Sequence, residues 1–383
     1  MVAATTFWVA VGLLGYTYVG YGGLVWLMAR VRPRKVAAAP IRPFVTAVVV
    51  GYNEASRIAA RIENLLEQDY PADRLEIVIA SDGSTDAMVE IARRYEPRIR
   101  VASFPDRRGK PAVLNDVIPM AKGEIVVLGD SRQRFDRRVV TTLVENLADP
   151  TVGAVSGELV FLKEGQTEAA VEGAAFYWDY EKLIRWSESQ VDSTVGVTGA
   201  VYALRRDLFE VIPAATVLDD VVIPMRIARR GFRVLFEPRA RAFDWKAPTS
   251  SAEFSRKVRT LAGNFQMFAT ERWMLSPFAN RLWVQTVSHK WLRLVLPVFY
   301  VAALGANLFL LDRAFYQLTM AAQAAFFGVA LAGYLFPGIR RATPLVIVPY
   351  AICFLSWATV VGFFRFVTGR QQVTWDQRST ATR

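Results

Sequence analysis

The stretch "IVVLGDSRQRFD", residues 125–136, sets the terms for the rest of the chain. Its apolar run Ile125–Leu128 reads as a buried strand, and the strand ends by delivering one carboxylate, Asp130, followed by Ser131, Arg132 and Arg134. Upstream, short apolar runs alternate with helical stretches. Phe44–Val50, Leu75–Ala80 and Ile99–Phe104 read as strands; Ala55–Gln68, Asp86–Tyr95 and Ala112–Ala121 read as helices. That alternation predicts an α/β domain whose sheet is mainly parallel and covered by helices on both faces. Ligands of such sheets bind in the crevice outside the carboxyl ends of the strands. The residues at those ends are Gly51-Tyr52-Asn53-Glu54, Ser81-Asp82-Gly83-Ser84 and Gly129-Asp130. Asp130 is therefore expected to face a ligand.

The flanks have a different character. The chain of 383 residues is 53% hydrophobic yet carries 46 Lys+Arg against 35 Asp+Glu. Apolar and charged residues are segregated along it. Residues 6–28 hold no charge, and 291–311, 315–336 and 344–367 are nearly as apolar, each long enough to cross a bilayer core of about 30 Å. A transporter would need charges inside its spans, and here they sit almost wholly at span ends. A signal peptide would need a basic segment before the first apolar run. The basic cluster Arg30, Arg32, Arg34, Lys35 follows it instead, which places the soluble domain in the cytosol and the protein in a cell (inner or plasma) membrane. Four spans then leave the tail, with Arg370, Arg378 and Arg383, on the less favourable side, so one apolar stretch is expected to lie along the membrane or re-enter it. The layout expected is a membrane helix over 1–29, a linker over 30–43, a soluble domain over 44–275, an interfacial segment over 276–290, membrane helices over 291–369 and a basic tail over 370–383.

The excess positive charge suits a membrane surface and an anionic substrate. No recognition module points to nucleic acid. One cysteine, Cys353, excludes an intrachain disulfide, and one histidine, His289, lies outside the soluble domain. Proton transfer in that domain falls to carboxylates, or less readily to Lys or Tyr.

Six stretches together carry a resemblance: "VVVGYNE", "LLEQDYPADRLEIVIASDGSTD", "RRGKPAVLND", "GEIVVLGDSRQRF", "VTGAVYALRRDLF" and "LDDVVIPMRIARRGFRVLFEP". Over roughly residues 44–270 the chain resembles the membrane-embedded family 2 glycosyltransferases that make cellulose, chitin, hyaluronan and poly-N-acetylglucosamine. The resemblance implies a GT-A fold, a nucleotide-sugar donor (usually a UDP-sugar) and Mg²⁺ or Mn²⁺. It implies donor contacts from Asn53, Glu54, Asp82, Lys110 and Asp130, with Asp130 the metal ligand and Lys110 neutralising the diphosphate; Arg132 is expected to add a donor contact through its guanidinium. It places Asp220 at the acid that closes the acceptor motif, as the catalytic base, and gives acceptor contacts to Gly199, Asp219, Arg256 and Arg259.

Two positions depart from the family pattern. Arg132 stands where the second metal-binding acid is expected, and Arg256 and Thr260 replace the Gln and Trp of the last motif. One carboxylate plus donor phosphates can still hold a divalent cation, and arginine suits bidentate phosphate contact. The implied reaction is a single displacement that inverts the anomeric centre. Its acceptor is a glycan at the bilayer or, alternatively, a lipid-linked acceptor glycosylated once.

Overall fold

A computed structural model describes residues 1–162, 168–245, 250–371 and 374. The segment at 45–130 follows the alternation expected. Strands β1 (Val45–Gly51), β2 (Leu75–Asp82), β3 (Arg100–Phe104) and β4 (Ile125–Asp130) form one half of an eight-stranded sheet. The other strands are β5 (Arg134–Phe135), β6 (Val152–Leu162), β7 (Val201–Arg205) and β8 (Arg233–Trp245). The order is β3-β2-β1-β4-β7-β6-β8-β5. β1, β2, β3 and β4 pair in parallel, as do β6 and β8, while β7 runs antiparallel to both β4 and β6.

The strands are buried on both faces because successive side chains alternate between two cores. Val48, Val78, Val126 and Leu128 meet Val113, Leu114 and Val117 on one face. Val45, Ala47, Val49, Ile77, Ile79, Ile125 and Val127 meet Ile58, Ile62, Leu65, Val140 and Leu143 on the other. The helices supplying these residues are α2 (Ala55–Leu66), α4 (Lys110–Val117) and α5 (Val139–Asn146); α1 (Val2–Val31) precedes the sheet, and α3 (Met88–Arg93) joins β2 to β3. α6 (Glu168–Val191) precedes β7, and α7 (Asp219–Arg229) and α8 (Ser250–Thr270) flank β8.

Among the described residues four helices are long and apolar enough to cross a membrane: α1, α9 (Trp283–Leu308), α10 (Ala314–Leu335) and the stretch Leu345–Val367. The last belongs to α12 (Pro344–Val367), which follows the short α11 (Pro337–Ala342). α9 begins eight residues before the span expected at 291, because Trp283–Lys290 continues the same helix through a π-turn at Thr286–Trp291. Residues 283–290 are therefore helical and continuous with the apolar run that follows. Tyr21 and Val25 of α1 pack on Ile184 of α6. Phe254 and Phe265 of α8 make edge contacts with Phe354 and Phe363 of α12 at 5.4 and 5.2 Å. The sheet domain is thus seated on its apolar helices through α6 and α8. Arg378 and Arg383 lie outside the described residues.

Candidate active site

Parallel pairing brings the carboxyl ends of β1, β2 and β4 side by side, so their terminal residues share one edge. Asn53 holds the turn after β1 in the left-handed region, with φ 54°. Its Oδ1 accepts from Thr85 N at 2.7 Å and its own N–H donates to Ser84 Oγ at 3.0 Å. Asn53 therefore laces the β1 turn to the β2 turn. Glu54 begins α2 and pairs with Arg57 at 3.3 Å.

Asp82 is buried and uses both oxygens on the main chain of the next loop. Arg108 N donates to Oδ1 at 2.7 Å and Gly109 N to Oδ2 at 2.8 Å. Gly109 has φ +91°, a conformation L side chains rarely adopt. The carboxylate thus grips the 105–109 loop and places Lys110 at the first turn of α4.

Lys110 reaches across to the acid at the end of β4. Its Nζ lies 2.8 Å from Asp130 Oδ1 and 3.8 Å from Asp219 Oδ2. Burial works against the ammonium, but Asp130, Asp219 and the hydrogen bond outweigh it and hold its pKa above the ordinary lysine value. Asp219 Oδ2 is buried without a hydrogen-bond partner, and so is the hydroxyl of Tyr202 on β7. One buried carboxylate oxygen and one buried hydroxyl without a hydrogen bond suit a polar ligand or ordered water.

Asp220, the next residue of α7, makes no side-chain hydrogen bond or ion pair among the described residues. A side-chain carbon at position 199 would come within 3.0 Å of Asp220 Oδ2, so Gly199 lets the loop before β7 lie directly against the carboxylate. Burial, with the charge of Asp219 adding to it, raises the Asp220 pKa from the ordinary 3.8 to about 6. A carboxylate of that pKa is ionised at neutral pH and still basic enough to take a hydroxyl proton.

Arg259 on α8 is drawn toward the same cluster. Burial lowers its pKa, and Asp219, Asp220 and Asp130 oppose that. Arg256, one turn earlier, sits instead in the field of Arg132 and Asp244. Arg132 is directed away from Asp130, its Nη2 lying 3.0 Å from Asp244 Oδ2 at the end of β8. The structure thus gathers Lys110, Asp130, Asp219, Asp220, Gly199 and Arg259, and sets Arg132 and Arg256 to one side.

Sequence reasoning missed Asp244, Gln133, Tyr202 and Arg61. Gln133 Nε2 donates to the same Asp244 oxygen at 2.9 Å. Arg61 is 3% exposed with its guanidinium 3.8 Å from the Phe135 ring centroid. Burial lowers its pKa to about 9, with Asp130 opposing. Its signal was available, since Arg61 falls on the apolar stripe Ile58-Ile62-Leu65 of α2, a position where an arginine calls for an explanation.

Among the described residues no group of three His, Cys, Asp or Glu could hold a metal ion. Asp130 presents one oxygen to Lys110 and has a second to offer, which fits a cation that arrives on a diphosphate rather than a resident one.

Residues 46–212 match the sequence profile described as Glycosyl transferase family 2. Over this stretch the sheet domain is similar to that family. The match runs from β1 past β7 and stops before Asp219. A probable glycosyltransferase, YdaM of Bacillus subtilis, is 23% identical over 58% of the chain and 55% of its own length. Poly-beta-1,6-N-acetyl-D-glucosamine synthase of Staphylococcus aureus is 22% identical over 66% of the chain and 63% of its own length. The chain thus spans less than two thirds of the length of either relative. A solved structure, the mannosyltransferase PcManGT from Pyrobaculum calidifontis in complex with GDP-Man and Mn²⁺, superposes with TM-score 0.72 at 26% identity. The alignment covers 95% of this chain and 99% of that one. The GT-A fold follows from this likeness.

Proposed function

We propose that the protein is an inverting glycosyltransferase that moves a sugar from a nucleoside diphosphate donor to a glycan acceptor at a membrane surface, with Asp220 as base. The observation that carries this reading is the pairing of a free, raised-pKa carboxylate against Gly199 with a lysine-held acid, Asp130, a short distance away.

Transfer requires that the leaving diphosphate be neutralised, that the acceptor hydroxyl lose its proton and that water stay out. Lys110 meets the first need, its ammonium moving from Asp130 toward the phosphates as they enter. A Mg²⁺ or Mn²⁺ ion carried by the diphosphate would be held by Asp130 and would add to that neutralisation. Asp220 meets the second need as the hydroxyl attacks. Arg259 and Asp219 hold the acceptor's terminal sugar beside it. The resemblance to polysaccharide synthases favours a UDP-sugar, whereas the mannosyltransferase likeness, which spans nearly the whole chain, favours GDP-mannose. A single transfer to a lipid-linked acceptor is the alternative to polymer extension.

Purified protein incubated with a panel of UDP- and GDP-sugars, with nucleotide release and product linkage followed, tests the reading. One donor is expected to be consumed in an Asp220-dependent way with inversion. Retention at the anomeric carbon would overturn the mechanism.

A further inference from the structure

The single histidine has no part in the chemistry above, yet it is deeply enclosed. His289 is 1% exposed and lies in the π-turn of α9. Its Nδ1 is 2.9 Å from Glu188 Oε1 and its Nε2 is 2.9 Å from Glu181 Oε1, two carboxylates on one face of α6. Glu188 also accepts from the Tyr21 hydroxyl of α1 at 2.6 Å. Glu181 also accepts from Arg293 Nη1 at 2.8 Å, one turn along α9. Tyr16 and Ser288 join α1 to α9 directly, with oxygens 2.8 Å apart. One imidazole and two carboxylates therefore tie two apolar helices to α6. Apolar side chains would pack such helices without the desolvation cost of buried charge. A fully paired polar network fixes one geometry in return, and π-turns within α-helices recur at functional sites.

α6 leads straight into the loop that faces Asp220. Glu188 Oε2 accepts from Val195 N at 3.4 Å. Arg185 on α6 donates to Thr198 Oγ1 at 2.7 Å and Ser156 Oγ at 2.9 Å. Val197 N donates to the Asp220 main-chain carbonyl at 2.8 Å. Lys290 follows His289 and makes no hydrogen bond or ion pair among the described residues, while its charge reaches Asp220 and favours the ionised carboxylate there.

We propose that the Glu181–His289–Glu188 clamp is a positioning device of the transferase, fixing α1 and α9 to α6 and thereby setting the 192–199 loop and Lys290 against Asp220. This deepens the proposed function and rests on Asp220 being the base. His289 is a positioning residue, since nothing places it near a substrate. The charged and titratable groups around Asp220 are Asp219 on its own helix, Lys110 from α4, Asp130 from β4, Tyr202 from β7, Arg185 from α6, Arg259 from α8 and Lys290 from α9. Of these, Arg185 and Lys290 are the two on helices that the clamp joins.

The test uses the full chain in lipid nanodiscs, with His289→Leu, His289→Gln, Tyr21→Phe, Lys290→Met and Asp220→Asn beside the native protein. Amide hydrogen exchange at Val195 and Val197 should rise about tenfold in His289→Leu, less in His289→Gln, while exchange in β1 stays native. Binding of UDP and GDP, titrated directly, should stay within about twofold, whereas turnover with the donor found by the panel should fall about tenfold. The acid limb of the rate should move to higher pH in both His289→Leu and Lys290→Met. A uniform rise in exchange, or a parallel loss of nucleotide affinity and turnover with the limb unmoved, would reduce the clamp to general packing and sink the proposal. Unchanged exchange at Val195 and Val197 would sink it as well. Should His289→Leu fail to fold, Tyr21→Phe, which removes one bond to Glu188, must show the same local exchange. If Asp220→Asn keeps its turnover, the base assignment fails, and the clamp is then judged on exchange and the turnover-to-affinity split alone.

Discussion

Replacing Asp220 with asparagine separates a catalytic base from a residue that merely begins a helix. The substitution keeps size and shape but removes the charge, so the loop at Gly199 still fits. Two effects of opposite sign follow. Turnover should fall by about 10²–10⁴, the usual cost of losing a general base. Stability should rise. The carboxylate is held at about 6 against an ordinary 3.8 by burial and by Asp219. A folded-state pKa raised by about two units means that ionising this acid costs the fold on the order of 3 kcal/mol at neutral pH. That cost is absent below the ordinary value and fully present above the folded one. The neutral variant escapes it, less about 0.5 kcal/mol for the lost favourable charge at a helix start. The native protein should therefore show an acid limb near pH 6, with about one tenth of its neutral rate at pH 5, and should melt at a higher temperature at pH 5 than at pH 8. Asp220→Asn should remove most of that melting difference. The assays are nucleotide release across pH 4.5–8.5 and thermal melts at the two pH values. Near-native turnover in the variant, or an acid limb near pH 4 in the native enzyme, would refute the argument.

Other outcomes follow from the same cluster. Lys110→Met should weaken nucleoside diphosphate binding about tenfold or more and move the acid limb upward, since Lys110 favours the ionised form of Asp220; titration calorimetry and the rate profile check both. Asp130→Asn should weaken diphosphate binding when Mg²⁺ or Mn²⁺ is present and match the native protein in chelator; equal loss in both conditions would remove Asp130 as a metal ligand. Asp82→Ala should release the 105–109 loop, seen as new proteolytic cleavage there and weaker nucleotide binding, with the sheet's exchange protection unchanged.

The parallel half of the sheet was legible because β1, β2 and β4 are short continuous apolar runs, each ending in a polar turn. The mixed half was not, since β6, β7 and β8 lie far apart in sequence and pair through contacts that no local period reports. Lys110, Asp130 and Asp220 stood out through their place at strand or helix ends. The aim of Arg132 toward Asp244 could not be read, because 112 positions separate them and only the fold sets them at 3.0 Å. The early start of α9 was hidden for another reason. Ser288, His289 and Lys290 are polar enough to look like an interface, and partners on α1 and α6 explain how a helix tolerates the first two.

The hold of Asp82 on its loop has a consequence for how such a protein can change. The carboxylate grips Arg108 and Gly109 by their main-chain N–H groups, so no side chain of the loop except the hydrogen of Gly109 is part of the grip. Asp106, Arg107 and Arg108 can be exchanged without touching those two bonds, at the cost of the stacking of Arg107 on Tyr52 and of Arg108 on Phe104 and the Arg108–Asp116 pair. Variation at these three positions becomes a route to new donor preferences that leaves the grip of Asp82 intact. A library randomised there, with Asp82 and Gly109 kept, is the natural starting point for redirecting the enzyme.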